Sequence, residues 1–168
     1  MSPGSPEFSR PLAVDRVPRG GSYEKIAAEA GECLALAKRL DVPALHSLTA
    51  EMRATPWRGG GLKMEGSLKA DLDRVSIISL EPFRQQVELP ILRYFMPVAM
   101  AAAAEEAEID PIIEGLVDLG EVVAETLALE LDPYPRRPGE SFADAADEPQ
   151  AAPAKPSPFA ALTRLKPK

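Results

Sequence analysis

The sequence contains a single cysteine, Cys33, among 168 residues. One thiol cannot close an internal disulfide and no group of thiolates is present to hold zinc, so the composition favours a reducing compartment. The longest uncharged stretch, 95–104, is far shorter than the roughly 20 residues that cross a bilayer. The N-terminus also lacks the basic start and apolar core of an export signal. These absences predict a soluble cytoplasmic protein without membrane association or a metal.

The residue sets that carry catalysis are also missing. His46 is the only histidine and has no neighbouring nucleophile motif, and no glycine-rich loop followed by Lys-Ser or Lys-Thr is present to hold phosphates. The scattered carboxylates form no spaced pair suited to general acid and base catalysis. The sequence therefore predicts a protein that is not an enzyme, uses no cofactor and has no small-molecule substrate.

Positive charge is absent from one long stretch of the chain. The formal net charge is -7, and residues 98–132 contain no Lys or Arg. The acidic residues of this stretch are Glu105, Glu106, Glu108, Asp110, Glu114, Asp118, Glu121, Glu125, Glu130 and Asp132. The first five of them, Glu105 to Glu114, are interpreted as a solvated face, as a site for a basic ribosomal or assembly protein, or as a shield that competes with RNA. Because charge is screened over about 8 Å, another face can still bind nucleic acid.

Alternation of apolar and polar residues predicts a series of antiparallel strands. The expected strands are 8–14, 22–28, 48–54, 62–72, 75–80 and 87–93. The first two are expected to pair across a turn at 18–21, and the next two across a glycine-rich tip at 56–61. The fifth is a short apolar run suited to a buried strand. The sixth contains Pro90 and is therefore expected at an edge of the sheet.

Two helices complete the predicted domain. Apolar residues recur at helical spacing over 32–40 and over 118–130, and Asp118 and Glu121 have the spacing of a capping box. Tyr134-Pro135 is expected to end the second helix. The alanine- and glutamate-rich stretch 98–108 is interpreted either as helix or as solvated linker. The predicted fold class is α+β: an antiparallel, curved or partly closed sheet of about six strands packed by two helices.

One domain is expected, over residues 1–142. A chain of this length with 45% apolar residues can bury a sizeable core. The chain changes character at about 143, and residues 144–158 are mostly Ala, Pro, Asp, Glu and Ser, which cannot offset the entropy of ordering by burial. We therefore expect a disordered Pro/Ala-rich tail with a short basic and apolar end.

Two groups of residues are candidates for contact with RNA or a partner. Trp57 and Arg58, with Lys63 across the tip, combine an aromatic ring with cations, as in proteins that stack on unpaired bases. Arg136 and Arg137 lie in a proline-rich stretch that holds them extended, so they lose little entropy on meeting a phosphate or carboxylate. Each group also has a plainer interpretation: a half-packed hairpin tip for the first, and contacts with the acidic helix end for the second.

Three short motifs stand out along the chain. They are Leu80-Glu81-Pro82-Phe83, Asp118-Leu119-Gly120-Glu121 and Pro133-Tyr134-Pro135, with Glu7-Phe8-Ser9-Arg10-Pro11 at the start and Pro158-Phe159-Ala160 near the end. In this order they resemble the YceD family, the large ribosomal RNA subunit accumulation proteins of bacteria and plastids. The resemblance implies a non-catalytic role in the synthesis, processing or stability of large-subunit rRNA. The direct partner is then either ribosomal RNA or a ribosomal or assembly protein.

Two further expectations concern the first motif. Many YceD relatives have a cysteine pair where this chain has Ser76 and Ser79, so a thiolate metal or redox role is not expected here. Glu81-Pro82-Phe83 is interpreted either as a rigid corner that docks a partner or as a turn that buries its aromatic ring.

Overall fold

The computed structural model describes residues 6–101 and 109–141. The strands in these ranges are β1 (Pro11–Ala13), β2 (Ser22–Ala27), β3 (Ala44–Trp57), β4 (Gly61–Val75), β5 (Pro82–Pro97), β6 (Ile109–Ile112) and β7 (Leu116–Asp118). The helices are α1 (Ala30–Arg39), α2 (Val98–Ala101) and α3 (Leu119–Glu130). The fold class is α+β, as predicted.

Five strands form one mixed sheet in the order β2-β3-β4-β5-β6. Neighbouring strands are antiparallel except β5 and β6, which are parallel, so the prediction of a wholly antiparallel sheet is wrong at this edge. Within the described residues the sheet is open, because β2 and β6 stand at opposite ends of the row. The predicted central hairpin is confirmed as β3 and β4, with Trp57 opposite Gly61. Pro90 lies in β5, outside the part that pairs with β6, which agrees with an edge position.

One face of the sheet carries the core. Alternate residues of β3 and β4, among them Leu48, Leu62 and Leu68, point to this face and are almost fully buried. Each such side chain contributes about 1.5 to 3 kcal/mol through burial. Helices α1 and α3 add Leu36 and Leu127 to the same cluster, so both helices cover this face. The intervening strand residues form the opposite face, which we call the outer face, where side chains are half-buried or exposed.

The predicted pairing of 8–14 with 22–28 is wrong. β1 pairs with β7 in a separate two-stranded sheet, whereas β2 pairs with β3 in the main sheet. The turn expected at 18–21 is present, since the Gly21 amide donates to the Pro18 carbonyl at 2.8 Å. A single helical turn at Val14–Arg16 precedes it and redirects the chain, so the two strands enter different sheets.

The predicted buried strand at 75–80 is also wrong beyond its first residue. β4 ends at Val75, and the Leu80 amide then donates to the Ser76 carbonyl at 3.0 Å to close a turn. Leu80 has a φ of 59° and its side chain is 76% exposed. Ser76 explains the difference, because its hydroxyl accepts from the Ile78 amide at 3.1 Å and so favours a turn over a strand.

Helix α1 begins two residues before the predicted start. Glu29 is its N-cap, and Glu29 and Glu32 form a capping box in which each side chain binds the backbone amide of the other. The buried side of the helix consists of Cys33, Leu36 and Ala37, as the helical spacing predicted.

Helix α3 has a one-sided N-cap in place of the predicted capping box. The Asp118 side chain accepts from two first-turn amides at 2.9 and 3.3 Å. Glu121 instead binds the Arg39 guanidinium at 2.6 Å. The helix ends at Glu130, before the Tyr134-Pro135 pair that was expected to end it.

Part of the stretch 98–108 is helical, since α2 occupies its first four residues. The rest, 102–108, lies outside the described residues, as does the tail predicted at 143–168.

Candidate functional site

The β3–β4 hairpin brings three of the predicted contact residues to one end of the outer face. The rings of Trp57 and Tyr94 are tilted by 46°, with 4.7 Å between their centroids. The Arg58 guanidinium lies 4.5 Å from the centroid of the Trp57 ring. Lys63 is the direct cross-strand partner of Tyr94. We call Trp57, Arg58, Lys63 and Tyr94 the hairpin-end cluster.

Glycines determine the shape of the hairpin tip. Gly59 and Gly60 have φ angles of 68° and 75°, in the left-handed region that favours glycine. At Gly61 an added Cβ would lie 2.3 Å from the carbonyl oxygen of Phe95, so β4 and β5 approach closely only because this residue has no side chain. The tip therefore holds the aromatic ring and guanidinium in a defined position beside β5.

The cations of the outer face are largely matched by carboxylates. The ion pairs are Lys25–Glu51 at 2.6 Å, Lys69–Glu88 at 3.6 Å, Arg84–Asp71 at 2.7 Å and Lys63–Glu65. The hydrogen bond between Lys63 and Glu65 raises the pKa of the ammonium and lowers the pKa of the carboxyl. Such exposed pairs add little to stability. Their consequence for binding is that a phosphate must compete with Glu65 for Lys63.

Arg137 lies away from the hairpin-end cluster, and its guanidinium contacts other residues of the domain. It donates to the Glu81 carboxylate at 3.0 Å and to the Pro82 carbonyl at 3.3 Å. The sequence interpretations allowed a carboxylate partner but named neither Glu81 nor the Pro82 carbonyl. The neighbouring Arg136 is exposed. The proline-rich segment is thus fastened to the turn that follows β4.

Glu140 is the centre of this fastening. Its carboxylate accepts from the Ser79 hydroxyl at 2.6 Å, from the Arg137 amide at 3.1 Å, and from the Ser76 hydroxyl. These hydrogen bonds, that from Ser76 foremost, lower the pKa of Glu140. Ser76 and Ser79 therefore hold a carboxylate in this chain.

The first and third motifs meet at a corner of the fold. The Ile77 amide donates to the Pro135 carbonyl at 2.9 Å, which joins the two segments. Leu80 is 76% exposed and Tyr134 is 66% exposed. Phe83 is half-buried at the start of β5. We use the name corner surface for Leu80 and Tyr134, two large exposed side chains on the segments that this hydrogen bond joins.

The second motif holds the N-terminal segment against α3. The Asp118 carboxylate accepts from the Ser9 hydroxyl at 2.5 Å and from the Arg10 amide at 2.8 Å. An added Cβ at Gly120 would lie 2.3 Å from the carbonyl oxygen of Phe8, so the segment crosses the helix at a distance that only glycine permits. Phe8 itself is buried. These motif residues have a structural part in the fold.

Several carboxylates of the acidic stretch are neutralised within the domain. Arg93, which is 21% exposed, binds Asp110 at 2.7 Å and Glu125 at 2.9 Å. Glu121 binds Arg39. These contacts leave fewer carboxylates for a basic partner than the sequence count suggests. Of the other carboxylates in 105–114, Glu114 is exposed, and Glu105, Glu106 and Glu108 lie outside the described residues.

Residues 6–101 and 109–141 contain neither a cluster of metal ligands nor a membrane-spanning helix. Within these ranges no three His, Cys, Asp or Glu side chains are placed to hold a metal ion. No helix of the same ranges is long and apolar enough to cross a membrane. Cys33 is buried, and burial raises the pKa of its thiol.

Two aromatic residues of the outer face were not predicted as site residues. Tyr94 directly follows the strand predicted at 87–93, so the alternation of that strand already indicates that Tyr94 lies on the outer face. Tyr23 lies in a strand that was predicted, but its neighbour Arg53 follows only from the pairing of β2 with β3. Pairing partners far apart in sequence leave no local signal.

Together these features define an α+β domain whose sheet is covered by helices on one face and carries aromatic and charged side chains on the other. The family model described as Large ribosomal RNA subunit accumulation protein YceD matches residues 64–166, more than half of the chain. The chain belongs to this family, as its motifs predicted. The family description connects it with ribosome biogenesis, through accumulation of large-subunit rRNA. Neither a curated protein nor a solved structure matches the chain significantly.

Proposed function

We propose that this protein supports the accumulation of large-subunit rRNA by binding RNA, without catalysing a reaction. The observation that carries the binding step is the hairpin-end cluster, which places two aromatic rings and two cations together on an open sheet face. Stacking of a base on an aromatic ring is worth about 1 to 3 kcal/mol and needs no positive net charge. A stacking surface therefore suits a chain of net charge -7.

In this proposal an unpaired RNA segment crosses the end of the outer face. Trp57 and Tyr94 supply stacking surfaces, and Arg58 and Lys63 contact phosphates. Lys63 exchanges the Glu65 carboxylate for a phosphate when RNA binds, which keeps the affinity modest. The acting unit is the domain at 1–142, in the cytoplasm, and it uses no cofactor, membrane or small-molecule substrate.

Deletion of the gene tests the cellular role. Loss of the protein should lower the ratio of large-subunit to small-subunit rRNA, and the intact gene should restore it. A gene with Trp57→Leu and Tyr94→Leu should fail to restore the ratio, although the protein accumulates normally. Lys69→Ala, on the same face but away from the cluster, is the matched control and should restore it. An unchanged ratio after deletion at several temperatures would contradict the proposal.

A second candidate function is an adaptor for a basic ribosomal or assembly protein, without direct RNA contact. The corner surface favours it, because Leu80 and Tyr134 are exposed while the segments that carry them are fastened by hydrogen bonds. Under this alternative, Leu80→Ser with Tyr134→Ser should abolish the rescue of the rRNA ratio, and the hairpin-end variant should not. Charge reversal at Glu105, Glu106 and Glu108 should release the basic partner.

A further inference from the structure

A groove of about 410 Å³ crosses the outer face near the edge strand β2. One wall consists of Tyr23, Arg53 and Glu65, which are neighbours across β2, β3 and β4. The other wall is the cross-strand pair Lys25 and Glu51. Between the walls the floor is the backbone of Glu24, Met52 and Gly66, which are opposite one another across the three strands and belong to the other alternation of the sheet. Successive outer side chains of a strand lie roughly 6.7 Å apart, which leaves room for one flat ring in van der Waals contact with both walls.

An aromatic platform stands at one end of the groove. The Tyr23 side chain is 80% exposed. The Arg53 guanidinium lies 5.3 Å from the centroid of its ring and donates to the Gly20 carbonyl at 2.8 Å. Arg53 therefore holds a fixed position against the ring, while most of the ring surface remains open. An exposed ring backed by a guanidinium suits stacking of a nucleobase.

The acceptors around the groove are carboxylates. Glu51 and Glu65 receive hydrogen bonds from Lys25 and Lys63, which lower the pKa of each carboxyl. Both groups are therefore ionised at neutral pH and act only as acceptors. Glu51 is the diagonal neighbour of Tyr23, at roughly 7 to 8 Å, within reach of the edge of a base stacked on that ring. Glu65 lies farther away, on β4.

Among the four bases, only guanine presents two adjacent donors, the N1–H and the 2-amino group, on its Watson–Crick edge. Two parallel donors match the two oxygens of one carboxylate. We infer that this groove binds an unpaired guanine base, stacked on Tyr23 and bound through its Watson–Crick edge by Glu51. The inference rests on the proposed RNA contact and deepens it, because it names a base and a second position on the same face.

The test compares pentanucleotides that differ at one position. Fluorescence anisotropy with the full chain should show UUGUU binding at least tenfold tighter than UUUUU and than the inosine analogue UUIUU, which lacks the 2-amino donor. Equal affinities for the three would overturn the guanine inference and leave the RNA contact standing. A titration with GMP, followed by NMR, should shift the amides of Tyr23, Lys25 and Gly66, and these shifts should be weaker with IMP.

Matched variants locate the acceptor and the platform. Glu51→Gln should remove the preference for guanine, whereas Glu65→Gln should retain it. Tyr23→Leu should also lose this preference, which Tyr23→Phe should keep. Loss of the preference in Glu65→Gln alone would overturn the assignment of Glu51. Shifts of the groove amides by GMP without binding of any pentanucleotide would support the base site and contradict the hairpin-end contact. If GMP shifts no groove amide and no pentanucleotide binds, both proposals are contradicted.

Discussion

The backbone amide of Arg10 donates to Oδ1 of Asp118 at 2.8 Å, across a sequence separation of 108 residues. The same carboxylate accepts from the Ser9 hydroxyl and from the first-turn amides of α3, so one side chain both caps a helix and holds the N-terminal segment. The Leu119 amide donates in return to the Arg10 carbonyl at 3.0 Å. The motif that begins at Asp118 thus has a structural role, because it holds the N-terminal segment against α3.

Asp118→Ala should destabilise the domain by about 2 to 3 kcal/mol. The change removes a helix N-cap, worth about 0.5 to 2 kcal/mol, and leaves partly buried donors of the N-terminal segment without an acceptor. Urea unfolding followed by circular dichroism measures the loss. Asp118→Asn keeps a capping oxygen and should cost less, and Asp15→Ala, at an exposed position, should be neutral. Equal stability of Asp118→Ala and the unchanged chain would contradict this account.

Gly120→Ala and Gly31→Ala should have opposite effects on stability. Both glycines lie in helices, but a Cβ at position 120 would meet the Phe8 carbonyl oxygen at 2.3 Å, whereas one at position 31 has nothing within 4 Å. Gly120→Ala should therefore displace the N-terminal segment and lower the midpoint of thermal unfolding. Gly31→Ala should raise it slightly, because alanine favours a helix by up to about 1 kcal/mol. A higher midpoint of thermal unfolding in both variants would show that the Phe8 backbone moves away from α3 without loss of stability.

The sequence predicted the parts of the fold that depend on local periodicity. The alternation in β3 and β4 and the helical spacing in α1 and α3 identified the core face correctly, because each segment buries one side. The pairing of β1 with β7 could not be predicted, since its register follows from contacts of Asp118 with residues about a hundred positions away. At 76–80 the apolar pattern was misleading, because a serine hydroxyl that binds backbone amides favours a turn.

The candidate site shows the same division. Trp57, Arg58 and Lys63 were predicted together because a tight hairpin joins neighbours in sequence. The rest of the outer face requires the register of β2 against β3 and of β4 against β5, which brings Tyr23 to Arg53 and Tyr94 to Lys63. The partners of a single arginine are harder still to predict, because a carboxylate anywhere in the chain competes with a phosphate.

The hydrogen bonds that the Glu140 carboxylate accepts from Ser76, Ser79 and Arg137 should be lost in acid. Its pKa is lowered in the folded state, chiefly by the Ser76 hydroxyl, so the stabilisation is present above the ordinary glutamate pKa of about 4.3 and disappears as the pH falls through the lower folded value. The Ser76, Ile78 and Ser79 amide resonances should therefore shift between pH 5 and pH 2. Glu140→Gln should give the released positions already at pH 7, whereas Glu130→Gln should behave like the unchanged chain. Identical titration of these amides in Glu140→Gln would contradict the assignment.

The salt dependence of RNA affinity should identify which Arg and Lys side chains contact phosphate. For single strands the slope of log affinity against log salt changes by about 0.7 per phosphate contact. Arg58→Ala with Lys63→Ala should therefore flatten the slope by about 1.4 for any RNA sequence. Arg136→Ala with Arg137→Ala should flatten it by less, because Arg137 already binds Glu81 and the Pro82 carbonyl. Fluorescence anisotropy with a uridine oligonucleotide measures the affinity at several salt concentrations from roughly 50 to 200 mM, the range over which phosphate contacts weaken, and gives each slope. A larger change in the second variant would place the phosphate contacts on the proline-rich segment instead of the hairpin end.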